Sequence, residues 1–294
     1  MSMKKQLVVG MGELLFDLFP TGKKIGGAPV NFAYHVGQLG VDSLAVSALG
    51  EDELGDEIVA ILEERGVKYI APRVGEPTGT VQVTLDAAGV PSYEICEGVA
   101  WDNIPCSKQL TLAAKEATAF CFGSLGQRAE QSRNAIQLFL DSMPKEGTLR
   151  IFDINLRQHF YSRETIEVSL AKSNALKIND EEFVTVAEML GYDGGDFESG
   201  SRFLMDKYGL DMVILTCGAV GSYIFWGKDE SSFLATPKVD VVDTVGAGDS
   251  FTAAFVASLL KGETIVEAHR KAVEVSAYVC TQSGAMPILP EELK

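Results

Sequence analysis

The chain has 294 residues and a formal net charge of −16 at pH 7. Hydrophobic residues make up 46% and charged residues 22%, which is typical of a soluble globular protein with ample room for a core. The negative charge argues against nucleic acid or an anionic membrane surface as a partner, because either would repel the chain. A phosphate ligand would therefore need local backbone donors, a few cations and a metal ion.

The five cysteines are odd in number, scattered and without CxxC pairs, so disulfides are not expected: Cys96, Cys106, Cys121, Cys217 and Cys280. Thiols that stay reduced are typical of the cytosol. Residues 1–6 lead directly into an apolar strand, with no long hydrophobic stretch. We therefore expect neither a signal peptide nor a membrane span, and a cytoplasmic location.

Apolar segments with strand character alternate with amphipathic segments along the chain. The predicted strands are residues 7–9, 44–49, 119–122, 149–154, 175–178, 212–216 and 238–242. The predicted helices are residues 31–39, 53–65, 129–142, 180–190, 197–208 and 251–260. This alternation predicts an α/β fold with a mostly parallel sheet flanked by helices, formed by residues 1–294 as a single domain.

Two segments break this alternation. Polar and apolar residues alternate in residues 80–85, and a turn at 86–89 and a second run at 92–95 complete a predicted hairpin with one solvent-facing side. Residues 12–20 supply another exposed strand. The segments at about 12–25 and 78–100 thus predict a small β-sheet, either a lid over the substrate or an ordinary surface hairpin. An exposed sheet of this kind also offers a contact for a homodimer.

The most informative motif is the glycine-rich turn Asp243-Thr-Val-Gly-Ala-Gly-Asp-Ser250 between a predicted strand and a predicted buried helix. The first backbone N–H groups of such a helix are unpaired and lie at its positive dipole end, so they form an anion site. Gly246 and Gly248 let an anion approach the backbone closely. Asp249 places a carboxylate beside that anion, which makes sense if it accepts a proton during phosphoryl transfer.

Other motifs are weaker on their own. Gly10-Met-Gly12 lacks the third glycine of a dinucleotide site, no Walker sequence occurs, and the three histidines are too scattered for a metal site. Gly26–Asn31 is either a helix start capped by Asn31 or a surface for a small polar ligand. Polar or glycine residues also follow three other predicted strands, at 153–157, 179–182 and 216–221, at the sheet edge where ligands bind in such folds.

Three motifs together resemble the ribokinase-type (PfkB) carbohydrate kinases. Residues 243–251 resemble the family's DTxGAGDxF signature, residues 26–31 its GGxxxN signature, and residues 179–182 its NxxE motif. The resemblance spans nearly the whole chain and implies a ribokinase-like fold with a β-sheet lid. It also implies ATP-dependent phosphorylation of a sugar hydroxyl with Mg²⁺, catalysed by Asp249 as base with Gly246, Ala247 and Gly248 as the anion hole.

The same resemblance assigns further residues to ligands. Sugar-binding positions match Asp17, Gly27, Asn31 and Arg157, and positions that organise Mg²⁺ and phosphates match Asn179 and Glu182. The nucleotide pocket matches Thr216, Gly218 and Gly221. A potassium ion, which family members often carry, would take a side-chain ligand from Asp243 and carbonyls from Val245, Val279, Gln282 and Gly284. Ile288 stands where ribokinases supply a hydroxyl ligand, so this chain departs from the potassium site there.

Residues 12–17, 26–31, 122–128 and 153–157 look most like the fructokinase branch, which implies transfer to the 6-hydroxyl of fructose to give fructose 6-phosphate. Branches acting on 2-keto-3-deoxygluconate or ribose are the alternatives. A sugar phosphate would need extra cations, for which Lys23, Lys24 and Arg128 are candidates. A non-catalytic sugar or nucleotide sensor and an α/β oxidoreductase are the competing classes. ADP release with fructose would exclude the sensor, and a null result in nicotinamide binding would exclude the oxidoreductase.

Overall fold

The structure is a computed structural model and describes residues 6–85 and 91–294. Residues 1–5 and the predicted hairpin turn at 86–89 lie outside the described residues. The strands are β1 (Leu7–Met11), β2 (Leu15–Phe19), β3 (Gly22–Gly26), β4 (Asp42–Val46), β5 (Leu49–Gly50), β6 (Tyr69–Ile70), β7 (Arg73–Val74), β8 (Gly79–Leu85), β9 (Pro91–Ile95), β10 (Ala119–Phe122), β11 (Leu149–Asp153), β12 (Ala175–Asn179), β13 (Met212–Thr216), β14 (Gly221–Trp226) and β15 (Glu230–Ala235).

The helices alternate with these strands as the sequence predicts. They are α1 (Ala28–Gln38), α2 (Glu53–Glu64), α3 (Lys108–Glu116), α4 (Glu130–Ser142), α5 (Arg163–Lys172), α6 (Asp180–Met189), α7 (Phe197–Tyr208), α8 (Ala247–Leu260) and α9 (Ile265–Cys280). Short 3₁₀ turns lie at Ala100–Asn103, Leu125–Gln127 and Glu291–Leu293. In the described part of the chain, no helix combines the length and apolar character needed to cross a bilayer.

The main sheet has the order β15-β14-β13-β12-β11-β10-β1-β4-β6. Strands β13 to β6 in this order run parallel to one another, which confirms the predicted mostly parallel sheet. The last two strands, β14 and β15, pair antiparallel at one edge. Because parallel strands end on the same side, their carboxyl ends collect the loops that follow them.

Two apolar layers cover the sheet. On one face, Phe120 and Phe122 pack with Phe139 of α4, and the rings of Phe120 and Phe139 stack with centroids 4.2 Å apart. On the other face, α1, α8 and α9 pack through residues such as Phe32 and Phe255, both buried. Helix α8 is buried over most of its length, as its run of Ala, Phe and Val predicts. This burial fixes the start of α8 against the carboxyl edge of the sheet.

A separate sheet with the order β3-β2-β8-β9 stands beside the main one. Its inward side chains Leu15, Val81 and Ile95 pack with Trp101 and Phe160 of the main body. The predicted small sheet is therefore confirmed. Its action as a lid and its use as a dimer contact stay predictions.

Three details differ from the sequence-based predictions. Residues 238–242 do not form a strand; they run irregularly, with Val241 and Val242 61% and 65% exposed, because β15 already ends the sheet at Ala235. Helix α1 begins at Ala28, so Gly27 is its N-cap and Asn31 lies inside the helix rather than capping it. The predicted strand 44–49 splits into β4 and β5, and β5 pairs with β7 instead of the main sheet.

Candidate active site

A pocket lies where the carboxyl ends of β1, β10 and β11 meet the start of α8. Its lining includes Glu13, Gly123, Asp153, Asn155 and Asp249. Each polar residue in this set lies within two residues of the end of a parallel strand or in the first turn of a helix. The fold thus brings together chemically active groups from distant parts of the sequence, as expected for this edge of an α/β sheet.

The start of α8 has the backbone geometry on which the prediction of an anion site depends. Its N-cap Gly246 has φ of 79°, and a β-carbon there would lie 2.7 Å from the Cα of Ala285, so a side chain cannot be accommodated. The N–H of Ala247 donates to the carbonyl of Thr244 at 3.2 Å. The N–H groups of Gly248 and Asp249 belong to the first turn, where helix geometry offers no carbonyl partner, so they remain as donors for an anion.

Asp249 is buried beside these donors. Its Oδ2 accepts a hydrogen bond of 2.8 Å from the side-chain amide of Asn31 in α1. Burial, followed by the nearby Asp153 carboxylate, raises the pKa of Asp249 to about 7 against the opposing effects of the Asn31 hydrogen bond and the Lys177 charge. A carboxylate with a pKa near the working pH is suited to accept a proton from an alcohol. Asn31 and Asp249, predicted separately, therefore form one unit.

Lys177 is a site residue that the sequence analysis missed. It lies in β12, where its Nζ forms a 3.0 Å ion pair with Asp153 Oδ1 and sits 3.0 Å from where a β-carbon on Gly248 would be. Burial alone would lower the pKa of Lys177, but the carboxylates of Asp153 and Glu182 raise it on balance, so the ammonium stays charged. A lysine within a buried apolar strand, two residues before Asn179, was the signal that could have revealed it.

Glu13 was also missed. It follows β1, is 3% exposed, and its Oε1 accepts hydrogen bonds from the Ala28 N–H at 3.3 Å and the Asn155 amide at 3.5 Å. Within the described residues its Oε2 has no hydrogen-bond partner, and burial raises its pKa. A buried, unpaired carboxyl oxygen at a pocket is a natural partner for a hydroxyl-bearing ligand.

The predicted sugar-binding residues fall into two groups. Gly27 and Asn31 lie at the start of α1, against Glu13 and Asp249 respectively. Asp17 lies in β2 directly across from Lys24 in β3. Arg157 follows β11, and its guanidinium donates a hydrogen bond to the carbonyl of Leu156. Burial raises the pKa of Asp17 despite the opposing charge of Lys24. Neither Asp17 nor Arg157 lines the pocket beside Asp249.

Asn179 and Glu182 form a capping box at the start of α6. Asn179 Oδ1 accepts from the Glu182 N–H at 2.8 Å, and Glu182 Oε2 accepts from the Asn179 N–H at 3.0 Å. The other carboxylate oxygen of Glu182 accepts from the Leu156 N–H at 2.9 Å. The helix-cap alternative is therefore present in the structure. Because each carboxylate oxygen has a second lone pair, both oxygens retain the capacity to hydrogen-bond to the waters of a hydrated cation.

The predicted nucleotide-binding residues surround the turn between β13 and β14. Thr216 ends β13 and lies beside Asn179 in the parallel register. Gly218, with φ of 50°, is in the turn, and its carbonyl accepts from the Thr236 hydroxyl at 2.6 Å. Gly221 begins β14, which pairs antiparallel with β13. These positions continue the same sheet edge outward from Lys177.

The predicted potassium ligands are brought together only in part. Asp243 Oδ1 accepts from the Val245 N–H and Oδ2 from the Gly284 N–H, both at 3.1 Å. Val279 and Gln282 lie at the end of α9, where the Val279 carbonyl accepts from the Gln282 N–H at 3.0 Å. Asp243 thus joins the loop before α8 to the loop after α9.

Comparison with known proteins identifies the family that the chain resembles. Residues 12–292 match the model of the pfkB family of carbohydrate kinases. Fructokinase of Solanum tuberosum is 30% identical, with 97% of this chain and 93% of the relative covered. The ATP-dependent 6-phosphofructokinase of Thermoanaerobacterium thermosaccharolyticum is 29% identical, with 98% and 92% covered.

Solved structures share the fold. An uncharacterized sugar kinase from Pyrococcus horikoshii is 26% identical, with a TM-score of 0.81 and coverage of 96% of this chain and 94% of that chain, and it has also been solved in complex with ATP. A double-mutant fructokinase from Vibrio cholerae, bound to fructose, ADP and potassium ion, is 21% identical, with a TM-score of 0.79 and coverage of 99% and 97%. These likenesses confirm the predicted ribokinase-like fold.

Proposed function

Because this chain belongs to the pfkB family of carbohydrate kinases, we propose that it transfers the γ-phosphoryl group of MgATP to the 6-hydroxyl of fructose, giving fructose 6-phosphate. The observation that carries the proposal is the position of Asp249. Its carboxylate lies at the start of α8, beside the free N–H donors, and is hydrogen-bonded by Asn31 from the predicted sugar side. A proton acceptor thus stands between the place for a phosphate and the place for a hydroxyl.

In this reaction the hydroxyl oxygen of the sugar attacks the γ-phosphorus in line as the bond to the ADP oxygen breaks. The hydroxyl proton passes to the Asp249 carboxylate, which is ready to take it because its pKa is about 7. ADP leaves with the bonding electron pair. No covalent intermediate on the protein is needed, so catalysis rests on positioning and charge stabilisation.

Backbone N–H groups, a helix dipole and a lysine of this chain stabilise the negative charge on the transferred phosphoryl group. The N–H groups of Gly248 and Asp249 and the dipole of α8 act on one side. The ammonium of Lys177 lies beside Gly248 and remains charged, so it adds a full positive charge at the same point. The pairing of Lys177 with Asp153 holds the ammonium in place when the nucleotide is absent.

Mg²⁺ would neutralise the nucleotide phosphates when bound. The residues fit a hydrated ion: Glu182 and Asn179 lie at the sheet edge beside Lys177, and Mg²⁺ usually keeps several waters and needs few protein ligands. Thr216, Gly218 and Gly221 would border the nucleotide further along the edge.

A neutral sugar suits the site better than a sugar phosphate. The three cations considered for a second phosphate are each paired with a carboxylate: Lys23 with Glu57, Lys24 with Asp243, and Arg128 with Asp102. The Arg128 pair is buried, so releasing it for a ligand would be costly. Arg157 is exposed, and its guanidinium donates to the carbonyl of the neighbouring Leu156, so it favours 2-keto-3-deoxygluconate, an acid, as the second candidate acceptor.

The direct test measures ADP release from MgATP with fructose, 2-keto-3-deoxygluconate, ribose and fructose 6-phosphate at equal concentrations. We expect the highest kcat/KM with fructose. A preference for the sugar acid that is lost in Arg157→Gln would overturn fructose and favour the second candidate. ADP release with none of these acceptors would overturn the acceptor class, and a phosphorylated product from fructose at a carbon other than C6 would overturn the position of transfer.

A further inference from the structure

A lysine from the small sheet contacts the loop that leads into α8. Lys24 lies in β3, and its Nζ is 3.2 Å from Asp243 Oδ2 and 3.4 Å from the Ser283 hydroxyl. The Lys24 side chain is 47% exposed and the Asp243 side chain 19% exposed. A cation on the small sheet therefore reaches an acidic residue in the loop that leads into α8.

Asp243 is the mechanical link between this cation and the anion site. Its carboxylate binds the N–H of Val245 on its own loop and the N–H of Gly284 on the loop after α9. Three residues after Asp243, Gly246 lies so close to Ala285 that a β-carbon would be 2.7 Å from the Cα of Ala285. The position of Asp243 therefore fixes where α8 begins and where the donors of Gly248 and Asp249 lie.

A potassium ion does not fit this set of groups. Asp243 Oδ2 already faces the ammonium of Lys24. The carbonyl of Ala285 accepts from the buried His35 ring at 2.8 Å, and the carbonyl of Ile288 accepts from the Tyr278 hydroxyl at 3.1 Å. Ile288 itself has no polar side-chain atom and is 75% exposed. Of the predicted ligands, both carboxylate oxygens of Asp243 and the Val279 carbonyl already accept from protein donors, and the positive charge beside Asp243 comes from the chain itself.

We propose that the Lys24 ammonium takes the place of a monovalent cation at Asp243. It neutralises Asp243, holds the loop before α8, and adds positive charge near the phosphates of a bound nucleotide. Because Lys24 belongs to the small sheet, this charge is in place only while that sheet is packed against the loop. The inference rests on the proposed function in one respect, that nucleotide phosphates bind at the start of α8. Its consequence is nucleotide binding that does not depend on potassium.

The test is the affinity of the full chain for MgADP, measured calorimetrically in potassium chloride and in tetramethylammonium chloride at equal ionic strength. We expect the wild-type affinity to agree within about twofold between the two salts, since exposed ion pairs contribute little and no cation is bound. Lys24→Ala should bind MgADP at least about fivefold more weakly in tetramethylammonium, the scale of one partly exposed ion pair. Potassium should restore most of that loss, because removal of the side chain opens a place for a small cation beside Asp243.

Lys23→Ala is the matched control, because Lys23 is the neighbouring lysine of the same strand and pairs with Glu57 at 2.5 Å, away from Asp243. We expect it to bind MgADP as the wild type does in both salts. Wild-type binding that strengthens more than about fivefold in potassium would overturn the inference, as would a Lys24→Ala protein that behaves like the control. Equal weakening of Lys24→Ala in both salts would show a structural tie rather than a replaced cation.

The outcome is separable from that of the proposed function. The binding measurement uses no acceptor sugar, so a failure to phosphorylate fructose leaves it readable. Salt-independent MgADP binding without sugar phosphorylation would overturn only the proposed acceptor. An absence of MgADP binding in every salt would overturn both.

Discussion

Two aspartates six residues apart, Asp243 and Asp249, have opposite electrostatic environments at the two ends of one glycine turn. Burial would raise the pKa of Asp243, but the N–H groups of Val245 and Gly284 and the ammonium of Lys24 lower it on balance. Burial raises the pKa of Asp249 to about 7, and repulsion from Asp153 adds to the effect. The first carboxylate is held ionised as an anchor, and the second is held ready to gain a proton.

The difference shows that two carboxylates of one loop can have separate roles, one structural and one proposed to be chemical. Asp243 lies outside the helix, where backbone donors and a lysine satisfy its charge. Asp249 lies inside the first turn, beside N–H groups that helix geometry leaves without a carbonyl partner, and its carboxylate accepts a hydrogen bond from Asn31. A charge that is stabilised by the protein makes a poor base, and one that is left partly unsatisfied makes a good one.

The variant Asp249→Asn should have the largest effect, and it tests whether Asp249 accepts the proton. We expect kcat for sugar phosphorylation to fall by roughly 10²-fold or more, the scale of a general base, because the amide cannot accept the hydroxyl proton. MgADP affinity should change little, since the backbone donors of α8 remain. Initial rates of ADP release and calorimetric binding measure the two effects.

Asp206→Asn is the control for that variant, because Asp206 is an exposed aspartate on α7, remote in sequence from the turn. It should retain the wild-type kcat. Near wild-type turnover in Asp249→Asn would remove Asp249 from the role of base and leave the proposed reaction without its proton acceptor.

Lys177→Met tests whether the phosphate end depends on a full charge as well as on the helix. We expect kcat to fall by about 10²-fold, because the ammonium beside Gly248 stabilises charge that develops on the transferred group. Methionine keeps most of the side-chain volume in the buried strand. Lys172→Met, at a surface pair with Asp141, is the control and should keep the wild-type rate. A Lys177→Met protein that folds, by circular dichroism, and turns over normally would limit Lys177 to neutralising Asp153.

The conformation of the glycine turn was predictable from the sequence because it depends on a few consecutive residues. Gly246 must adopt positive φ and lie against Ala285, so only glycine fits, and the carboxylate of Asp249 follows at a fixed position in the helix. The mostly parallel sheet was predictable for a similar reason, since buried parallel strands read as short apolar runs. In both cases the information lies within a few consecutive residues.

Lys177 and Glu13 could not be found in this way, because their roles depend on contacts across the fold. Lys177 becomes a site residue only where β12 passes beside Gly248, 71 positions further along the chain than Lys177. The false strand at 238–242 has the same origin: β-branched residues favour a strand, but the sheet edge is already occupied by β15. The contact between Lys24 and Asp243 likewise joins the small sheet to the loop before α8, two segments that are 219 positions apart in the sequence.

The pH dependence of activity provides a finer test of the raised pKa of Asp249. The base must be ionised, so kcat/KM should rise with pH to a plateau with a midpoint at about 7. Below the midpoint the rate should fall about tenfold for each pH unit. The hydrogen bond from Asn31 lowers the pKa of Asp249, so Asn31→Leu should shift the midpoint upward. A profile that is flat from pH 5.5 to 8 would show that Asp249 is ionised throughout that range and that the contrast with Asp243 is absent.

The smallest effects, those on stability, should have opposite signs for the two aspartates. The folded pKa of Asp249 is above its unfolded value of 3.8, so its proton stabilises the folded state at low pH and that contribution is lost as pH rises toward 7. Asp249→Asn should therefore stabilise the protein, and by about 2 kcal/mol more at pH 8 than at pH 5.5.

The folded pKa of Asp243 is below 3.8, so its ionised form stabilises the folded state equally at both pH values. Asp243→Asn should cost about 1 kcal/mol or less at each pH, because the pair with Lys24 is partly exposed. Urea unfolding at the two pH values measures both, and a destabilised Asp249→Asn at pH 8 would contradict the view that its buried charge is kept for chemistry at a cost in stability.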